Sequence, residues 1–153
     1  MSRKVVVLAT IHALQGAENR PLGKFEDPEY RGVIEALIEH YFIDSIFEVT
    51  CACGPAIAEK LANSRGLRYR DVDSHAYGIE IDTEEGVFVD EEKLDAQVRR
   101  EEFWVKRMTE QGFGSALFIC GYMHIFSIAV RLQDAGFAVA LRKYLPFHKF
   151  YAG

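Results

Sequence analysis

The stretch SALFICGYMHIFSIAV, residues 115–130, changes its hydrophobic period halfway along, and the fold is read from that change. Residues 116–120 are an unbroken apolar run of strand length. A run without alternation predicts a strand buried on both faces, the kind found inside a parallel sheet. Gly121 punctuates it. After it, Ile125, Phe126, Ile128, Ala129, Val130 and Leu132 recur at helical spacing nearly all round, which predicts a well-buried helix following the strand directly. His124 then stands where a strand ends and a helix begins. In open α/β sheets ligands bind at that edge, and a helix amino terminus adds free N–H groups and partial positive charge. The plainer reading, in which His124 only caps the helix or bonds to backbone, stays open at this point.

Outward from this stretch, the same alternation of strand and helix repeats. KVVVLAT at 4–10 is a second buried strand and delivers the chain to Ile11 and His12. Residues 13–27 form a connection of about 15 residues, a length that suggests a functional or a disordered loop and, placed after His12, a lid. Pro28 opens a helix whose apolar stripe is Val33, Ile34, Leu37, Ile38, Tyr41 and Phe42. A third strand at 44–49 ends at Glu48. Gly54 and Pro55 start a helix with Ile57, Ala58, Leu61 and Ala62 inward, stopped by Gly66. Residues 67–72 read as a more polar strand near a sheet edge, with Asp71, Asp73, Ser74 and His75 at its end. Residues 79–81 and 87–89 flank a turn and predict a small β-hairpin insertion. A last buried strand is expected at 137–141, followed by an aromatic and basic tail at 142–153 that packs on its own domain or on a second subunit.

The helix expected at about 90–111 carries a second signal. Leu94, Val98, Glu101, Val105 and Met108 are spaced 4, 3, 4 and 3, which places one carboxylate on an apolar stripe. Glu101 is therefore expected to point inward, where it needs a basic partner, a metal or a raised pKa, unless a bend lets it reach water. Arg99, Arg100, Glu102 and Arg107 read more simply as a solvated face.

The expected fold is α/β: a three-layer sandwich with a mostly parallel sheet of about five strands, helices on both faces, and the hairpin insertion. A chain of 153 residues is read as a single domain, 1–153. Its hydrophobic content of 49% and charged content of 27% are those of a soluble globular protein. The net charge of -5 argues against nucleic acid as a partner, since phosphate binding needs a basic surface. No apolar run is long enough to cross a bilayer and the amino terminus lacks a signal-peptide pattern, so a cytoplasmic location is expected. Three cysteines, Cys51, Cys53 and Cys120, form no disulfide framework, which fits a reducing compartment.

Successive strand ends in such a sheet gather on one edge. That edge is expected to hold His12, Glu48, Asp73 or His75, and His124, with Glu101 entering from the preceding helix. Two imidazoles and one or two carboxylates can bind a divalent metal such as zinc, manganese or cobalt and lower the pKa of a bound water. They can equally do acid–base work without metal. Cys51 and Cys53 make one C-x-C, short of a structural zinc site, and Cys120 reads as packing. No dinucleotide fingerprint, P-loop or nucleophile elbow is present.

The order of these features resembles the superfamily that unites TraB-type proteins, Tiki metalloproteases, erythromycin esterases and ChaN haem-binding lipoproteins. Ala9-Thr10-Ile11-His12 is similar to its G-T-x-H strand end, with Ala in place of Gly. Ile46-Phe47-Glu48 resembles the acidic strand end, Arg100-Glu101 with Trp104 the Arg-acidic helix motif, and residues 118–124 the apolar strand closed by G-x-x-H. Gly136 to Val139 matches the G-F-x-V strand. The chain is smaller than most members. The resemblance implies a site of His12, Glu48, Glu101 and His124, with Arg100 orienting a carboxylate or a substrate oxyanion. It implies a metal-assisted hydrolase acting on a small-molecule or peptide substrate, with His12, Glu48 and His124 as ligands or positioners and Glu101 as general base. The alternatives are a haem- or ligand-binding module, as a homo-oligomeric sensor, and a nucleotide-binding α/β enzyme.

Overall fold

The computed structural model describes residues 3–10, 28–49, 56–73 and 90–145, with backbone alone for 90–96. His12, the 13–27 loop, Cys51, Cys53, His75, the expected hairpin and residues 146–153 lie outside the described residues. Strands β1 (Lys4–Thr10), β2 (Ser45–Glu48), β3 (Arg68–Asp71), β4 (Ser115–Gly121) and β5 (Ala138–Lys143) form one sheet in the order β3-β2-β4-β1-β5. Every described pairing in it is parallel. Helices α1 (Pro28–His40), α2 (Ile57–Arg65), α3 (Asp90–Thr109) and α4 (Ile125–Asp134) alternate with the strands. The three-layer α/β sandwich is thus observed, and no described helix is long and apolar enough to cross a membrane.

Strand alternation divides the core in two. Val6, Leu8, Ile46, Leu117 and Ile119 pack beneath α1 and α2 with Tyr30, Ile34, Leu37 and Leu61. Val5, Val7, Phe47, Phe118 and Cys120 pack beneath α3 and α4 with Trp104, Met108, Ile128 and Leu132. β1 and β4 read as continuous apolar runs at 5–9 and 116–120 because both faces are covered, whereas β2, equally buried, carries Ser45 and Glu48. Each large side chain sealed in this way contributes about 2 kcal/mol relative to exposure.

Three expectations are corrected. α4 is not buried all round: Ile125, Ile128, Ala129 and Leu132 face the sheet, while Phe126 is 71% and Val130 55% exposed. A one-turn 3₁₀ helix, Tyr122–His124, also separates it from β4. β5 is an edge strand with Ala138, Arg142 and Lys143 exposed, so Arg142 and Lys143 belong to the sheet and not to a tail. In α3 the buried face runs through Glu101, Trp104 and Met108, whereas Val98 is exposed, which turns the stripe away from the expected one.

The helix ends explain a fourth correction. α2 and α4 close on Gly66 (φ 71°) and Gly136 (φ 98°), with the next amide bonded back into the last turn. Left-handed backbone suits glycine there. α1 closes with the same bonds, Phe42 N–H to Glu39 and Ile43 N–H to Ile38, but the left-handed residue is Phe42 (φ 54°). Phe42 is consequently turned out of the expected stripe and is 85% exposed.

Candidate functional site

The topology selects one point on the carboxyl edge of the sheet. From β1 the chain crosses over α1 toward β2 on one side; from β4 it crosses over α4 toward β5 on the other. β1 and β4 are neighbours, with Thr10 paired to Gly121 at their ends. Connections that diverge from adjacent strand ends leave a crevice between them, the usual ligand position in a doubly wound sheet. His124 follows Gly121 by three residues and borders that point.

Glu101 approaches from α3 and is only 4% exposed. Its Oε2 accepts hydrogen bonds from His124 Nδ1 at 2.6 Å and Ser127 Oγ at 2.8 Å, and its Oε1 accepts from Arg131 Nε at 3.1 Å. Burial pushes the carboxyl pKa up, but the bonds from His124, Ser127 and Arg131 outweigh it and hold it below the ordinary value. Glu101 is therefore ionised near neutral pH and can only accept. The proton of that short bond belongs to His124 Nδ1, and in the neutral imidazole Nε2 carries the lone pair. Nε2 makes no hydrogen bond to any described residue.

Trp104 separates this pair from a second one. Its ring lies edge-to-face with His124, centroids 4.9 Å apart and planes at 77°. Its indole N–H donates to Asp73 Oδ1 at 3.0 Å, and Arg100 grips the same carboxylate through Nε (3.2 Å) and a terminal nitrogen (2.7 Å). Arg100 also stacks over the Trp104 ring, 5.2 Å from its centroid. Asp73 and Arg100 thus hold the aromatic wall, and His124, bonded to Glu101, leans on it.

Of the residues expected at the site, Glu101, His124 and Arg100 are brought together here, with Arg100 on Asp73. Glu48 is fully buried but leaves β2 on the α1/α2 face, between Phe47 and Val49 of the other core, and accepts from the Tyr69 phenol at 2.5 Å. The described residues therefore do not join Glu48 to the His124 pair. No cluster of three or more His, Cys, Asp or Glu suited to a metal ion occurs among the described residues. Ser127 and Arg131 were not expected at the site. Their signal was present in the sequence: His124, just before α4, and Ser127 and Arg131 on it are spaced 3 and 4, a polar stripe among apolar residues.

Cys120, on the same face, is buried, and its thiol pKa is pushed up to about 12 by burial, with the Glu101 charge adding to it. It packs in the core as expected and is no nucleophile near neutral pH. Compared with protein-family models, with curated proteins and with solved structures, the chain matches none of them.

Proposed function

We propose that this chain is a hydrolase in which His124 is the general base and Glu101 the group that positions it. The observation that carries the reading is the 2.6 Å bond from His124 Nδ1 to a buried, ionised carboxylate at the crevice between the β1 and β4 ends. Such a carboxylate fixes the imidazole tautomer and stabilises the imidazolium formed when Nε2 takes a proton. A water on the Nε2 side loses that proton as its oxygen attacks an ester or amide carbonyl; the imidazolium returns the proton to the leaving group. Glu101 itself, held by three donors, is a poor base. The general-base role expected for it passes to His124.

The same bond favours a metal-assisted version. A histidine that ligates a metal through one nitrogen commonly donates its other N–H to a carboxylate, as His124 does to Glu101. His124 Nε2 would then be a ligand, and His12, outside the described residues, remains a proposed second one. A bound zinc, manganese or cobalt ion would supply a more acidic water.

The test is a panel of p-nitrophenyl esters and fluorogenic peptides, assayed with chelator and with each of the three metals. Turnover should fall by about two orders of magnitude or more in His124→Gln and Glu101→Gln. Activity equal in wild type and His124→Gln, or none on any substrate under any metal condition, would defeat the reading. Turnover that survives chelator would select the metal-free version.

A further inference from the structure

We propose that the open edge of β5 and the adjoining flank of α4 form a two-fold interface with a second copy of this chain. Among the described strands β5 borders β1 alone. The amides of Ala138 and Tyr144 donate to Arg3 and Ala9 across that ladder. By alternation, the N–H and C=O groups of Val139, Leu141 and Lys143 point away from the sheet. No described strand takes them up and no proline interrupts β5; the Leu141 carbonyl accepts from a terminal nitrogen of Arg142 at 2.8 Å, a bond that pairing with a second strand replaces.

The helix above the edge is built to match. α4 lies over β1 and β5. Its sheet-facing residues are Ile125, Ile128, Ala129 and Leu132, and Ser127 and Arg131 turn toward Glu101 on α3. At 3.6 residues per turn, Phe126 and Gln133 fall on the flank away from α3, with Val130 next to them. That flank, over β5, carries the two exposed apolar side chains of the helix.

A second copy fits both features with one operation. A two-fold axis perpendicular to the sheet at Leu141 pairs β5 with itself in antiparallel fashion, Val139 opposite Lys143 of the second copy, and satisfies the outward groups of both strands. The two α4 helices then lie on the same face about 10 Å apart, two strand spacings, which is contact distance for helices. The charges agree as well. Lys143 is at the carboxyl end of β5 and Asp134 lies beside its amino end, at the end of α4; both are exposed and neither makes an ion pair among the described residues. Antiparallel pairing brings each Lys143 toward Asp134 of the other copy, twice by symmetry.

Sedimentation equilibrium on the full chain across the micromolar range tests this. Twice the chain mass is expected. Lys143→Glu and Asp134→Lys should each weaken self-association at least about tenfold, the double reversal should recover most of it, and Phe126→Asp should give monomer, all with unchanged circular dichroism. A monomer at every concentration would overturn the proposal. So would a dimer indifferent to all four variants, which would place the interface elsewhere.

Discussion

On the α1/α2 face of the sheet the buried glutamate, Glu48, receives the phenol of Tyr69; on the α3/α4 face Glu101 receives an imidazole, a hydroxyl and a guanidinium. The two carboxylates are about equally removed from water, so the difference lies in what meets them. Burial first, and the Glu48 charge second, push the Tyr69 phenol far above its ordinary pKa, and Tyr30 is raised for the same reasons. A phenol in that condition keeps its proton throughout the working range and acts as a fixed strut. Imidazole is the side chain that exchanges protons near neutrality. One face therefore sets its carboxylate against a phenol that keeps its proton, and the other sets it against an imidazole.

Removing each carboxylate interaction should separate the two faces by size. Glu101→Ala leaves Arg131 and His124 facing a buried gap, and breaking an ion pair of this kind costs about 3–5 kcal/mol. Urea denaturation should show that loss. A cost below about 1 kcal/mol would mean that the donors simply turn to water, and the contrast between the faces would fail. Tyr69→Phe removes one donor from Glu48 and should cost about 1–3 kcal/mol. The stability cost of His124→Gln, from the same denaturations, should be unmoved by Tyr69→Phe and reduced by Glu101→Gln. If both variants move it, the two faces are coupled through the sheet.

The fold was legible because the strands that matter most are covered on both faces. In β1 and β4 the residues between the ends, 5–9 and 116–120, are all apolar, and an unbroken run of that length marks a strand covered on both faces. β5 misled because FAVAL is as apolar as a central strand; whether a neighbour lies beyond it is a property of sheet order, which no local pattern carries. The inward phase of Glu101 was legible from one turn of helix on either side. Its partners were harder. Ser127 and Arg131 share a stripe with His124, but a serine and an arginine on an amphipathic helix also describe an ordinary wet face, and only the packing of α4 against α3 distinguishes the two. The separation of Glu48 from Glu101 was legible in principle, since Phe47 and Val49 face one core and Glu48 must face the other. Reading all strand ends as one cluster overlooks that alternation.

A smaller effect should appear on acidification. The folded pKa of Glu101 is depressed, so its contribution to stability is complete above the unfolded glutamate value of about 4.3 and is lost as the pH falls through the lower folded value. Denaturation midpoints measured below about pH 5 should therefore fall less steeply in Glu101→Gln than in wild type. Parallel curves would mean that the carboxylate gains no more from His124, Ser127 and Arg131 in the fold than it loses by burial.

The least perturbing probe is Cys120, which reports on Glu101 from the sheet side. Its pKa is pushed up to about 12, by burial first and then by the Glu101 charge. For a thiol the raised value has the opposite consequence from that of Glu101: its contribution is complete below the unfolded value of about 8.5 and is lost as the pH rises toward the folded one. In native protein at pH 8, iodoacetamide should leave Cys120 unmodified by peptide mapping, and alkaline denaturation should begin later in Cys120→Ala. Glu101→Gln removes the charge and keeps most of the burial, so Cys120 should become alkylated slightly faster at pH 10 while remaining inert at pH 8. Burial and charge act on this thiol in the same direction, whereas on Glu101 itself burial and hydrogen bonding oppose each other. If the substitution left the alkylation rate unchanged, the Glu101 charge would be fully neutralised by its three donors, and His124 would then feel less of that charge than the short Nδ1 bond implies.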